Sequence, residues 1–144
     1  MTNPRELNVI CDRCKSPIPD GEGNIWVDNG EINKQQDAVQ EWNEEQRAKT
    51  PPGLRVTHGF KDLLDYPSPV EWQAHHSACD PDPDADAYSI EVERLRTWAD
   101  LTHWTAHLMG KGWLRATDWT KVLDNAAHNA GRRVSPVTKP TVNA

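Results

Sequence analysis

The most specific chemistry in this chain of 144 residues lies in two short spacings, Cys11-x2-Cys14 near the start and His76-x2-Cys79 in the middle. The first places two thiolates on one turn, close enough to share an ion. The second adds an imidazole and a third thiolate. Zinc takes such mixed sets readily, and four protein donors close a tetrahedral shell, which is the structural pattern and not the catalytic one. The chain has three cysteines and this set uses them all. The competing reading is three free thiols in a reducing compartment with His76 packed into a core. Ligand spacing and complete use of the cysteines favour a single structural Zn2+.

A second spacing, His75-x3-Cys79, is also available, and strand alternation decides between the two histidines. In Val70-Glu71-Trp72-Gln73-Ala74-His75-His76 an extended backbone puts Val70, Trp72, Ala74 and His76 on one face. That face is the apolar one, so His76 points inward to the metal. His75 is expected to face outward or to support the ligands from behind.

These donors need strands to present them. Leu7–Ile10 reads as a short strand entering the Cys11/Cys14 turn, with Pro17, Pro19, Gly21 and Gly23 on the return. Asn24–Asp28 is β-branched and aromatic and reads as its hairpin partner. Asn29-Gly30 is a turn dipeptide that would fold Glu31-Ile32 back as a further hairpin. Residues 33–49, rich in Gln, Glu and Ala, read as an exposed helix with a narrow Val39/Trp42 stripe and a Glu45–Lys49 pair. Leu54–Val56 reads as a short strand, Lys61–Tyr66 as one helical turn, and Trp72–His76 as the strand that delivers the second ligand pair. Tyr88–Glu93 alternates, with Tyr88, Ile90 and Val92 inward.

Two metal-bearing turns on two strand pairs resemble zinc ribbons and similar small zinc-binding folds, over roughly residues 7–93. The chain departs from common ribbons in having His76 where a cysteine is usual and in lacking a glycine after Cys14. The resemblance is to a class of metal site, and it brings no particular activity with it.

The last third reads as helical. Leu95, Trp98, Leu101, Thr102, Trp104, Thr105, Leu108 and Met109 share one broad face of a helix over 94–109. Gly110-Lys111-Gly112 breaks it, and Thr117 or Asp118 caps a second helix carrying Trp119, Val122, Leu123, Ala126, Ala127 and Ala130. The expected fold class is α+β. Residues 1–93 form a zinc-binding β unit with a helical insertion at about 33–49, residues 94–131 a helical hairpin packed on it, and residues 132–144 a disordered tail.

Composition bounds what this fold does. Only 36% of residues are hydrophobic and the mean hydropathy is −0.82, a thin core that a metal would reinforce. Met1–Asn8 lacks the apolar segment of a signal peptide, and no run reaches the roughly 20 apolar residues of a membrane span. A soluble, cytoplasmic protein is expected. Charge is uneven: up to residue 93 there are 8 Lys/Arg against 19 Asp/Glu, and after it 8 against 3. The basic end either faces the acidic end or meets an anionic partner.

Other constellations are weaker. Asp80, Asp82, Asp84, Asp86 and Glu91 approach the spacing of a calcium loop, but Ala85 stands where the loop needs glycine and two prolines stiffen it. A solvated acidic turn is the better reading. His103 and His107 share a helix face with Asp100 and Arg96, without a third ligand or an intervening Glu. A His-Asn-His nuclease around His75-His76 would need an open metal, whereas His76 belongs to a closed shell. The function expected is therefore a small non-enzymatic regulatory or adaptor protein that binds another protein, with Trp42, Trp104 and Trp113 as candidate contacts. The alternative is a nucleic-acid-binding, transcription-regulator-like protein using Arg94, Arg96, Lys111, Arg115 and Lys121, with Arg132 and Arg133 in support. No small-molecule substrate is indicated.

Overall fold

The computed structural model of the chain describes residues 5–137. It is a mixed α+β fold built on two antiparallel sheets. One sheet pairs β1 (Leu7–Ile10) with β5 (Arg133–Pro136), Leu7 opposite Pro136 and Ile10 opposite Arg133. The other has the order β3-β2-β4, with β2 (Gly23–Asp28) central between β3 (Gln73–His76) and β4 (Ala87–Glu91). Four helices complete it: α1 (Asn29–Ala48), α2 (Phe60–Leu64), α3 (Trp98–Met109) and α4 (Trp119–Ala127). Among the described residues no helix is long and apolar enough to cross a membrane.

Leu7, Val9, Ile25, Val27, Trp72, Ala74, Ile90 and Val92 meet in one core. The alternation of the strands puts them on facing sides. Trp72 is its centre. It is fully buried and packs edge-on against Trp119, with ring centroids 4.9 Å apart. Its indole N–H donates to Thr117 Oγ1 at 3.0 Å.

Several expectations are corrected. The opening is not a β1–β2 hairpin. A single bridge, Ile10 to Pro17, closes the metal-bearing turn, because Pro17 and Pro19 lack the N–H groups that would extend a ladder. β1 pairs instead with β5, which lies in the stretch expected to be a tail from residue 132. Val134 is buried in the core, and Pro136 is tolerated at the end of an edge strand. Residues 138–144 of that expected tail lie outside the described residues.

Asn29-Gly30 starts a helix and not a hairpin. Asp28 Oδ1 accepts the Glu31 N–H at 3.1 Å, a cap worth about 1 kcal/mol, and Ile32 is buried as the helix's first anchor. The helical insertion thus begins before residue 33. Lys49 pairs with Asp62 at 3.8 Å, and not with Glu45. Leu54–Val56 forms no strand. α3 begins at Trp98 and not at 94, because Thr97 and Asp100 cap each other's backbone at that point. α4 stops at Ala127 and packs on β5.

Candidate metal centre

Cys11 directly follows β1 and is buried. Its turn is closed by Lys15 N–H to Cys11 O and Cys11 N–H to Ser16 O, both at 2.9 Å. Lys15 stands at φ 64°, in the left-handed region, at the position after Cys14 where ribbon-like turns favour glycine. Asp12 ties this turn to β3 in both directions: its N–H donates to Ala74 O at 2.7 Å, and its Oδ2 accepts the Ala74 N–H at 2.8 Å. The two halves of the site are therefore clamped together two residues from His76.

β3 ends at His76, opposite Gly23 of β2. A side chain at Gly23 would collide with the His75 carbonyl and come within 2.8 Å of Ile18 Cγ2, so glycine permits the close approach here. Ser77 N–H donates to Glu22 O at 2.8 Å, and a single turn of 3-10 helix, Ser77–Cys79, carries Cys79 back toward the other donors.

The result is one cluster. A ligand atom from each of Cys11, Cys14, His76 and Cys79 lies within 4.8 Å of every other. Cys14 Sγ is 3.3 Å from His76 Nδ1. Around a tetrahedral ion with bonds of about 2.3 Å to sulfur and 2.0 Å to nitrogen, neighbouring donors stand roughly 3.6 Å apart. The four residues fit one metal ion, with His76 offering Nδ1. Burial pushes the Cys11 thiol up, but the Cys14 N–H, the His76 N–H and ring, and the Arg13 N–H outweigh it and bring its pKa down to about 6. Cys79 is pushed up, first by burial and then by the neighbouring sulfurs of Cys11 and Cys14.

His75 is on the other face of β3, as alternation requires, but it is covered and not outward-facing. Trp26 Nε1 donates to its Nδ1 at 3.2 Å, and it is 7% exposed. It takes no part in the cluster. Among the described residues no second group of three or more His, Cys, Asp or Glu donors gathers closely enough to share an ion. The acidic loop uses its side chains locally: Asp80 Oδ1 accepts the Asp82 N–H, and Asp86 Oδ1 accepts from Asn29 Nδ2. His103 and His107 are exposed and flank Trp104.

The candidate contact residues divide. Arg96 is buried before α3 begins, where it donates to Asp20 Oδ1 at 2.7 Å and to Ile18 O at 2.9 Å. Arg133 is 1% exposed and pairs with Asp118 Oδ2 at 2.6 Å. Neither is available to a phosphate. Arg94, Arg115 and Lys121 are exposed, and Lys111 lies half-buried with its Nζ 5.9 Å above the Tyr88 ring. Trp42 is buried against His58 and Tyr66 and donates to Asp62 O at 3.1 Å. Trp113 packs on Trp72 and Tyr88, and Trp104 is half-buried.

Three features escape a linear reading. Asp12 has no neighbour that announces its bond to Ala74, 62 positions away. Asp118 looks like a helix cap, yet its carboxylate accepts the Trp72 N–H and pairs with Arg133. The segment between α1 and β3 exposes a run of apolar side chains, a pattern visible as Leu54, Val56, Phe60, Leu63 and Leu64 in an otherwise polar stretch. Compared with models of known protein families, with curated proteins and with solved structures, the chain matches none.

Proposed function

We propose that this chain is a small, non-enzymatic, zinc-stabilised module that works in the cytoplasm by binding another protein. Three thiolates and an imidazole suit zinc, and a reducing compartment keeps those thiols free to bind it. One observation carries the binding reading. Of eight large hydrophobic side chains left exposed among the described residues, six fall between Leu54 and Tyr66, including Phe60 at 80% and Leu64 at 68%. Large apolar side chains left exposed together in one short stretch of chain are what an interaction site presents. The segment is anchored from below: Trp42 packs on His58 and Tyr66, and Gln46 Oε1 meets His58 Nδ1 at 3.2 Å. Trp42 thus supports the surface and does not itself make the contact.

Nucleic-acid binding has less behind it. Two of its cations, Arg96 and Arg133, are held by Asp20 and Asp118. Lys111, Arg115 and Lys121 remain for that role, together with Arg94, which is 4.0 Å from Glu91.

The test compares the wild type with Phe60→Ser/Leu64→Ser as bait, with zinc content and circular dichroism matched. A protein retained by the wild type and lost by the variant supports the reading. Identical retained sets would remove the 54–66 segment as the binding surface.

A further inference from the structure

A groove of 790 Å3 lies between the Tyr66–Pro69 connection and the turn joining α3 to α4. Its lining includes the apolar side chains of Pro67, Met109, Leu114, Trp119 and Leu123, together with Lys111 and Arg115. No Asp or Glu lines it, in a chain that carries 22 of them. A smaller cleft of 290 Å3 continues it past Tyr66 and Arg115 to Val39, again without an acid. The cleft on the far side of the connection differs, since Asp28, Glu31, Glu71 and Asp82 line it. Among the described residues neither Lys111 nor Arg115 has a carboxylate partner.

Two cations beside an apolar wall, Lys111 with its Nζ also 5.9 Å over the Tyr88 ring, set up a local positive potential in an otherwise acidic protein. The size suits a small ligand. Two hydroxyls of the wall are already engaged, which leaves Gln35, Tyr66 and Thr120 as its other polar side chains. Thr105 Oγ1 donates to Leu101 O and accepts from Trp119 Nε1, while Thr117 Oγ1 donates to Leu114 O and accepts from Trp72 Nε1. An extended peptide would need more such groups, regularly spaced along the groove, for its backbone. A ligand with one charged end and an apolar body needs only the two cations.

We propose that this groove binds a small apolar carboxylate, its carboxylate between Lys111 and Arg115 and its body against Leu114, Trp119 and Leu123. The site shares Tyr66 with the 54–66 surface but neither Phe60 nor Leu64, the side chains tested there, so its failure would leave the protein-binding reading untouched.

The experiment titrates the full-length, metal-loaded protein with decanoate below its micelle range and follows amide and indole chemical shifts. Acetate and decyltrimethylammonium serve as controls. Saturable shifts at Lys111, Arg115, Leu123 and the Trp119 indole are expected. In Lys111→Glu/Arg115→Glu the affinity should fall roughly ten-fold or more, the loss that follows when a paired charge is reversed. Lys111→Gln/Arg115→Gln gives the same direction with less disturbance, and unchanged β1 and β5 amides report an intact fold. Equal affinity for acetate would reduce the site to a bare anion patch. Equal binding of the cation, shifts confined to residues 54–64, no shift at all, or variants that bind like wild type would each overturn the proposal.

Discussion

β3 is fastened at both ends, and by unlike chemistry. At its outgoing end His76 joins three cysteines in a cluster whose atoms lie within 4.8 Å, a set that becomes cohesive only when an ion fills it. At its incoming end Trp72 is held by fixed charge: Asp118 accepts its N–H at 2.8 Å and pairs with Arg133 at 2.6 Å. Arg133 Nε also donates to Asn125 Oδ1 at 2.9 Å, so the pair joins the lead into β3 to α4 and β5. The first fastening depends on metal supply and thiol state. The second is sealed from solvent, with both side chains at most 3% exposed. A thin core is thus secured at one point by a bond the environment can undo and at another by one it cannot easily reach.

The largest effect should come from undoing the metal end. A chelator, or Cys11→Ser, should lower the unfolding free energy by on the order of several kcal/mol, because binding free energy at such sites is folding free energy. If the two ends are as distinct as their chemistry, hydrogen exchange in the metal-free protein should speed up over residues 11–18 and at His76 while α4 and β5 keep most of their protection. Uniform loss of protection would mean that the ends form one cooperative unit. Acidification acts in the same direction. The folded-state pKa of Cys11, about 6, lies below the ordinary thiol value of 9.0, so its contribution in the metal-free chain is fully present above about 9 and lost as pH falls through about 6. The ultraviolet absorbance of the thiolate, followed against pH in parallel with stability, checks that window.

Next in size is the buried pair. Asp118→Asn leaves Arg133 charged and unpaired in the interior, which costs about 3–5 kcal/mol. Chelators should not deepen or relieve that loss if the ends act independently. The double replacement Asp118→Leu/Arg133→Met should recover much of it, because no charge is then left buried alone. Urea unfolding of the two variants, each with and without metal, would decide. A double variant no better than Asp118→Asn would mean that the Trp72 N–H bond, and not the charge pair, is what matters.

These two ends also differ in how readily the chain reveals them. The metal end is written locally: Cys-x2-Cys, His-x2-Cys and the alternation of Trp72, Ala74 and His76 are short-range patterns, and the structure brings those four residues together. The α+β class and the existence of the helices follow from periodicity in the same way. The other end is written in partners far apart in sequence. Arg133 sits in a stretch with prolines and few apolar residues, and nothing near it shows that it becomes a strand paired with residues 7–10. Edge pairing of β1 depends on which strand is free to meet it, and the prolines after Cys14 decide that by removing donors. The Asp28 cap overrode the Asn29-Gly30 turn because a helix beginning there also buries Ile32. Local turn preference lost to packing.

The smallest effect is the sharpest comparison. Each end holds a residue other than glycine in the left-handed region: Lys15 at φ 64° beside Cys14, and Arg133, the cation of the ion pair, at φ 54°. That conformation costs about 1–2 kcal/mol for a residue with a Cβ. Lys15 is exposed and makes no ion pair among the described residues, so Lys15→Gly should relieve the strain and lose nothing in packing. After the extra freedom glycine gives the unfolded chain, a gain of about 0.5–1 kcal/mol remains. Arg133→Gly relieves the same strain but strands Asp118, so it should destabilise by about 3 kcal/mol or more. Thermal melts of the metal-loaded variants should therefore move in opposite directions. Two shifts of the same sign would show that the turn at Lys15 is held by its side chain after all, and that the metal end is less purely a matter of backbone and thiolates than its geometry indicates.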